Sequence, residues 1–106
     1  MRVSPPARIG SLMSPKTPRY RRTRRENPLG KLLGMRQYVR NPGEGLCRLR
    51  VRREFFNPVG TVHGGILFTM IDNDMGAAMN TVIDATERAS TIEVKINFLR
   101  PVTSGE

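Results

Sequence analysis

Apolar and polar positions follow two different periods along this chain. Between Ile66 and Met79 the apolar residues Ile66, Leu67, Phe68, Met70, Ile71, Met75, Ala77, Ala78 and Met79 cover most of the circumference of a helix at about 3.6 residues per turn. A helix apolar all round is expected to be buried, and a curved sheet is the economical wrapper. On either side of it the period falls to two. Leu46 to Phe56 places Cys47, Leu49 and Val51 on one face and Arg48, Arg50 and Arg52 on the other, which predicts a half-buried strand with a basic, solvated outer face. Ser90 to Leu99 alternates Ile92, Val94, Ile96 and Phe98 with Thr91, Glu93, Lys95 and Asn97. This predicts a second long strand, stopped at Arg100-Pro101 because proline removes a ladder donor.

Shorter signals fill the remainder. Asn27-Pro28-Leu29-Gly30-Lys31-Leu32-Leu33-Gly34 predicts a turn or two of helix, with Asn27 as N-cap and Pro28 at the first helical position. Met35 to Arg40 is a candidate short strand, and Asn41-Pro42-Gly43-Glu44-Gly45 is a turn by composition. Val82 to Ala89 is a polar connection. Two long strands cannot wrap a helix that is apolar on every side. The expectation is a fragment of a longer domain, or a fold whose missing cover comes from partners.

Charge divides the chain unevenly. The net charge of +9 over 106 residues resides mostly in residues 1–25, where eight basic residues meet no acid. Residues 26–106 carry ten basic residues against nine acids. The expected organisation is a disordered basic arm over 1–25, broken by Pro5, Pro6, Pro15 and Pro18, followed by one small domain over 26–106. Three readings of the arm stay open: a solvated tail, an organelle-import presequence, or a nucleic-acid-binding segment. The last is not favoured, since a single tyrosine within R-Y-R-R-T-R-R makes no stacking platform. Cys47 is the single cysteine, so no intrachain disulfide forms, which suits a reducing compartment. No apolar run approaches the roughly 18 residues needed to span a bilayer. A cytoplasmic location is expected, or the mitochondrial matrix if the arm is a presequence, and no membrane partner.

The chemistry concentrates between Asn57 and Asn80. His63-Gly64-Gly65 opens the central helix, where unpaired N–H groups and the helix dipole can stabilise an oxyanion. Asp72 lies in the helix interior, and an aspartate is ionised at neutral pH unless burial intervenes. His63 and Asp72 are nine residues apart. If both were helical they would lie roughly 13 Å apart on opposite sides, so a site using both is expected to draw on two copies of the chain. Bland alternatives stand beside each residue: His63 as a turn residue, Asn57 likewise, Gly64 and Gly65 as close-packing positions, Thr91 as an ordinary strand residue. Asp72 and Asp74 point to different faces, so one of them can be merely solvated. The methionines fill core. His63 lacks a second histidine and Cys47 belongs to another strand, so no metal site is expected.

N-P-V-G-T-V-H-G-G-I-L-F-T-M-I-D, followed by S-T-I-E-V-K-I-N-F-L-R-P-V-T-S-G-E, resembles the hotdog-fold acyl-CoA thioesterases of the phenylacetate-pathway (PaaI-like) group. The likeness runs from about Asn27 to Glu106. Its most specific part is N-x5-H-G-G-x6-D combined with T-x-E-x4-F-x-R-P. The resemblance implies an α+β hotdog fold, incomplete in this chain, in which a long helix lies in a curved antiparallel sheet. It also implies a homodimer or tetramer with sites at the interface, an acyl-CoA substrate, and no cofactor beyond the CoA of the substrate. By position, it casts Asp72 as general base or nucleophile and Gly64 as the amide donor to the thioester carbonyl. Asn57 and His63 become a positioning pair, and Thr91 the hydroxyl near the attacking water. Family members usually continue past the equivalent of Gly105-Glu106 with further strands. Two other classes remain: a hotdog dehydratase or hydratase, and an inactive truncated remnant or binding protein.

Overall fold

The computed structural model describes residues 19–106. The elements run β1 (Arg21–Arg22), α1 (Pro28–Leu33), β2 (Arg36–Arg40), β3 (Glu44–Arg48), a short 3-10 turn (Arg53–Phe55) and α2 (Gly64–Asn80). The strands form one antiparallel sheet in the order β1-β2-β3, with Arg36 opposite Arg48 and Arg40 opposite Glu44. Helix α2 packs across β3 and β2, the helix-on-sheet arrangement of an α+β hotdog fold.

Local chemistry explains the small elements. Asn27 caps α1, its Oδ1 accepting from the Gly30 N–H at 3.0 Å, and Pro28 occupies the first turn, where its missing N–H costs nothing. Gly34 ends the helix at φ 75°, a left-handed conformation open to glycine. The β2–β3 hairpin turns through Asn41–Gly43. Its tip is tied to the end of α2, since the Gly43 N–H donates to Thr81 Oγ1 at 2.7 Å.

Helix α2 crosses β3 at Gly45. A Cβ there would collide with Asp74 Oδ1 and stand 2.8 Å from the Asp74 carbonyl oxygen. The missing side chain lets the helix backbone settle onto the strand. The core around this crossing is small. Leu49, Phe55 and Val62 are buried together, with Leu33, Met35, Ile66, Leu67, Met70 and Val102 packed around them.

Four expectations need correction. No residue of α2 is fully buried, and Phe68, Met75 and Met79 are exposed. The helix spans roughly 25 Å at 1.5 Å per residue, whereas a five-residue strand spans roughly 17 Å, so the sheet covers one side and part of the length. The strand expected over Leu46–Phe56 leaves its ladder after Arg48 and curls into the 3-10 turn. Its in-out alternation persists beyond the ladder, with Leu49 buried and Arg50 exposed. Ser90–Leu99 is extended but forms no strand. Alternation specifies two faces, and a ladder also needs a neighbour, which no described strand supplies here; Ile92 is wholly exposed. Backbone hydrogen bonds to the rest of the fold resume beyond it, from Val62 N–H to Val102 O at 2.8 Å and from Val51 N–H to Gly105 O at 2.9 Å.

The fourth correction concerns the basic arm. Residues 1–18 lie outside the described part, but Arg21 and Arg22 pair with Val39 and Tyr38 as an edge strand, and the Thr23 N–H donates to Gln37 O at 3.0 Å. The domain therefore begins before residue 26. On the opposite flank Arg36 and Arg48 both grip Glu106, with Arg50 at 3.9 Å. Arg52 lies over the Phe55 ring at 4.5 Å.

Candidate active site

Asp72 is the middle residue of α2, on the side turned away from the Gly45 crossing. Its Oδ1 accepts a hydrogen bond from the Thr91 hydroxyl at 2.6 Å, a length typical of a hydroxyl meeting a carboxylate. The extended segment after α2 thus delivers Thr91 back onto the helix, and the pair named from the sequence comes together. Both residues line a cavity of about 710 Å³ whose other walls come from β1, α1, β2 and the C-terminal half of α2. Asn27 Nδ2 donates to Asn73 Oδ1 at 3.0 Å, so the start of α1 rests on α2 next to Asp72.

Asp74, two residues on, faces the sheet. Its Oδ1 accepts from Gln37 Nε2 at 2.7 Å. Burial raises its pKa above the usual carboxylate value, while the Gln37 hydrogen bond pulls the other way. Burial, with Asp74 nearby, pushes the Cys47 thiol up to about 11, which keeps it protonated and a poor nucleophile near neutral pH. The two carboxylates, two residues apart, therefore have different surroundings: one opens on a cavity, the other is half-buried between helix and strand. Gln37 Nε2 also donates to Tyr38 O and Leu46 O, while its Oε1 is buried without a donor among the described residues.

The remaining expected residues gather elsewhere. His63 is the N-cap of α2 and not a helical residue, with ψ 133°. Its Nδ1 accepts from the Gly65 N–H at 2.8 Å, so in the neutral ring the proton sits on Nε2, which faces solvent. The opposite-sides argument made for His63 therefore does not apply, because the spacing must be counted from Gly64. Eight residues of helix separate Gly64 from Asp72, a rise of roughly 12 Å.

Gly64 is the first helical residue, and its N–H meets no acceptor among the described residues. The Phe98 ring crosses close above it; a Cβ on Gly64 would stand 2.9 Å from the ring. Gly64, Asn57, Leu67 and Phe98 line a second cavity of about 340 Å³, which shares no lining residue with the first.

Asn57 fills the alternative role weighed for it. Its Oδ1 accepts from the Val59 and Thr61 N–H groups at 3.0 and 3.1 Å, and its Nδ2 donates to Thr61 Oγ1 at 2.8 Å. The side chain organises the turn that delivers His63, with one Nδ2 hydrogen left over.

The structure brings Asp72 and Thr91 together, and separately Asn57 and Gly64, with His63 capping the helix between them. The sequence reading missed Gln37, Asn73 and the β1 arginines as residues lining the same cavity as Asp72. No spacing rule joins residues from β1, β2 and α2, and nothing in the local pattern around Arg21 signalled a strand there.

Comparison with known proteins finds a family for part of the chain. The thioesterase superfamily matches over residues 59–106, the stretch holding Gly64, Asp72 and Thr91. Human acyl-coenzyme A thioesterase 13 is 32% identical over 68 residues, 61% of this chain and 46% of the relative. The Pongo abelii protein of the same name gives the same figures. A putative esterase of Saccharolobus solfataricus is 36% identical over 75 residues, 71% of this chain and 53% of the relative. The chain spans about half the length of the curated relatives it matches. No solved structure matches it. The segment 59–106, which carries the cavity-facing aspartate and the long helix, is the part that matches the thioesterase superfamily, and the long helix packed on an antiparallel sheet is consistent with a hotdog fold.

Proposed function

We propose that this protein hydrolyses acyl-CoA thioesters to a carboxylic acid and CoA, at a site assembled from two copies of the chain. The observation that carries the reading is the Thr91–Asp72 hydrogen bond at 2.6 Å in one cavity, set apart from the unpaired Gly64 N–H in another. A thioester carbonyl needs a polarising donor and an attacking group within a few ångströms of one carbon. On one copy these groups lie about 12 Å apart along the helix, and a second copy supplies the complement.

In this arrangement Thr91 occupies one lone pair of Oδ1 and steadies the carboxylate. Oδ2 is left to accept a proton from water as that water attacks, or to attack the carbonyl itself. The Gly64 N–H of the other copy, backed by the positive end of its helix, stabilises the oxyanion. Collapse of the adduct expels the CoA thiolate, which takes up a proton. The relatives named acyl-coenzyme A thioesterase support the thioester substrate.

Release of CoA thiol from acyl-CoA, followed colorimetrically, tests the activity, with an enoyl-CoA hydration assay beside it. Asp72→Ala is expected to lose about a hundredfold or more. Mixed complementation tests the sharing. Copies carrying Asp72→Ala combined with copies carrying Gly64→Val should recover one intact site per mixed pair, though each variant alone is inactive. Undiminished turnover by Asp72→Ala, or hydration in place of hydrolysis, defeats the activity reading; failure to complement in a confirmed mixed oligomer defeats the shared site.

A further inference from the structure

The cavity beside Asp72 has an unusual wall. Besides Asp72 and Glu26, its charged lining residues are all basic: Arg21, Arg22, Arg25 and Lys31. Arg21 is engaged, its guanidinium donating to Asn41 Oδ1 at 3.2 Å. Arg22, Arg25 and Lys31 find no carboxylate within ion-pair distance among the described residues. By contrast, Arg36 and Arg48 on the other flank are matched by Glu106, and Arg40 by Glu44. The unmatched charges are held in place: β1 is laddered to β2, and the Asn27–Asn73 hydrogen bond fixes the start of α1 against the residue next to Asp72.

We infer that Arg22, Arg25 and Lys31 form the seat for the phosphate groups of the substrate's thiol carrier, in the cavity that Asp72 and Thr91 also line. The inference rests on the acyl-CoA reading above and adds to it the residues that hold the nucleotide end. A cavity of about 710 Å³ lies within the roughly 300–1,000 Å³ usual for small-molecule sites. Clustered, unpaired cations suit a polyanion better than the single carboxylate of an acyl group, and the arginine fork matches phosphate geometry with two parallel N–H donors. The CoA moiety carries a pyrophosphate and a ribose phosphate. A thiol arm of the same structure without them, pantetheine, carries no charge.

That difference provides the test. Binding of CoA and of pantetheine to the full chain is measured by calorimetry, for the natural sequence and for Arg22→Gln/Arg25→Gln, with circular dichroism as a check on folding. CoA affinity is expected to fall roughly tenfold in the double variant and to weaken with added salt, while pantetheine binding stays unchanged. Arg25→Lys, which keeps the charge, should stay within about threefold of the natural chain. Equal CoA affinity in the folded double variant overturns the inference, as does a natural chain that binds CoA no better than pantetheine. A chain that shows the expected CoA dependence but hydrolyses no acyl-CoA keeps the phosphate seat and loses the hydrolysis reading. One that cleaves a phosphate-free acyl thioester yet binds CoA indifferently to Arg22 and Arg25 does the reverse.

Discussion

Replacing Thr91 by valine keeps the shape of the side chain and deletes the hydrogen that Asp72 Oδ1 accepts. The bond is short, 2.6 Å, and has a carboxylate as acceptor, so in a sealed site it would contribute roughly 1.5–3 kcal/mol. Thr91 is exposed, however, and water competes for the same oxygen. The discounted figure is about 0.5–1.5 kcal/mol, equivalent to a loss of roughly two- to tenfold in kcat at 1.4 kcal/mol per decade. KM should change little, because in the proposed reaction the hydroxyl orients the attacking group and binds no part of the acyl chain. Thr91→Ser retains the donor and should retain the rate. The double-mutant cycle is decisive: in an Asp72→Ala background Thr91→Val should cost nothing further, since the partner is already gone. Two outcomes refute the reasoning: Thr91→Val at the natural rate, or a Thr91→Val loss that is undiminished when Asp72 is absent.

Two further expectations follow from the Asp74 contact. Gly45→Ala forces a methyl against the Asp74 backbone, whose carbonyl at 2.8 Å cannot swing away as a side chain would; a loss of about 1–3 kcal/mol is expected in denaturant unfolding, and Asp74→Ala should not rescue it. Asp74 itself has a pKa raised by burial, so the folded state holds its proton more tightly than the unfolded chain. The cost of burying its charge is then fully present above the raised pKa and disappears as pH falls towards the unfolded value. Asp74→Asn, which keeps an oxygen for the Gln37 N–H, should therefore stabilise the protein most near neutral pH, with the advantage shrinking towards about pH 4 in urea unfolding at stepped pH.

Much of the framework could be read from local pattern. The long helix, the Asn27 cap with Pro28 behind it, β2 and the hairpin turn each have a signal within a few residues, and each formed where that signal lay. The misreadings share one cause. A ladder depends on a neighbour that is distant in sequence, so Ser90–Leu99 alternates without becoming a strand, and Leu46–Phe56 leaves its ladder early. Arg21–Arg22, by contrast, pairs without enough alternation to be noticed. Burial of α2 failed for the same reason, because apolar residues on all sides state a demand that the described sheet meets on one side only. At the site, Asp72 and Thr91 were legible through the family likeness and then found in hydrogen-bond contact. The turn at Asn57 was legible from its composition, and the Asn57 amide bonds within it.

Helix α2 is pinned at its two ends. His63 Nδ1 holds the Gly65 N–H at one end. At the other, Thr81 Oγ1 donates to Ala78 O at 2.7 Å while accepting from Gly43. Between these pins no side chain is fully buried, so the helix is a beam resting on supports more than a peg driven into a core. The height and roll of that beam set where the Asp72 carboxylate meets Thr91, and the two end fastenings, several turns away, share that task with the Asn27–Asn73 and Gln37–Asp74 bonds at its middle. Aliphatic exchanges along the middle of such a beam leave its aim intact, whereas loosening either support swings the carboxylate away from its partner.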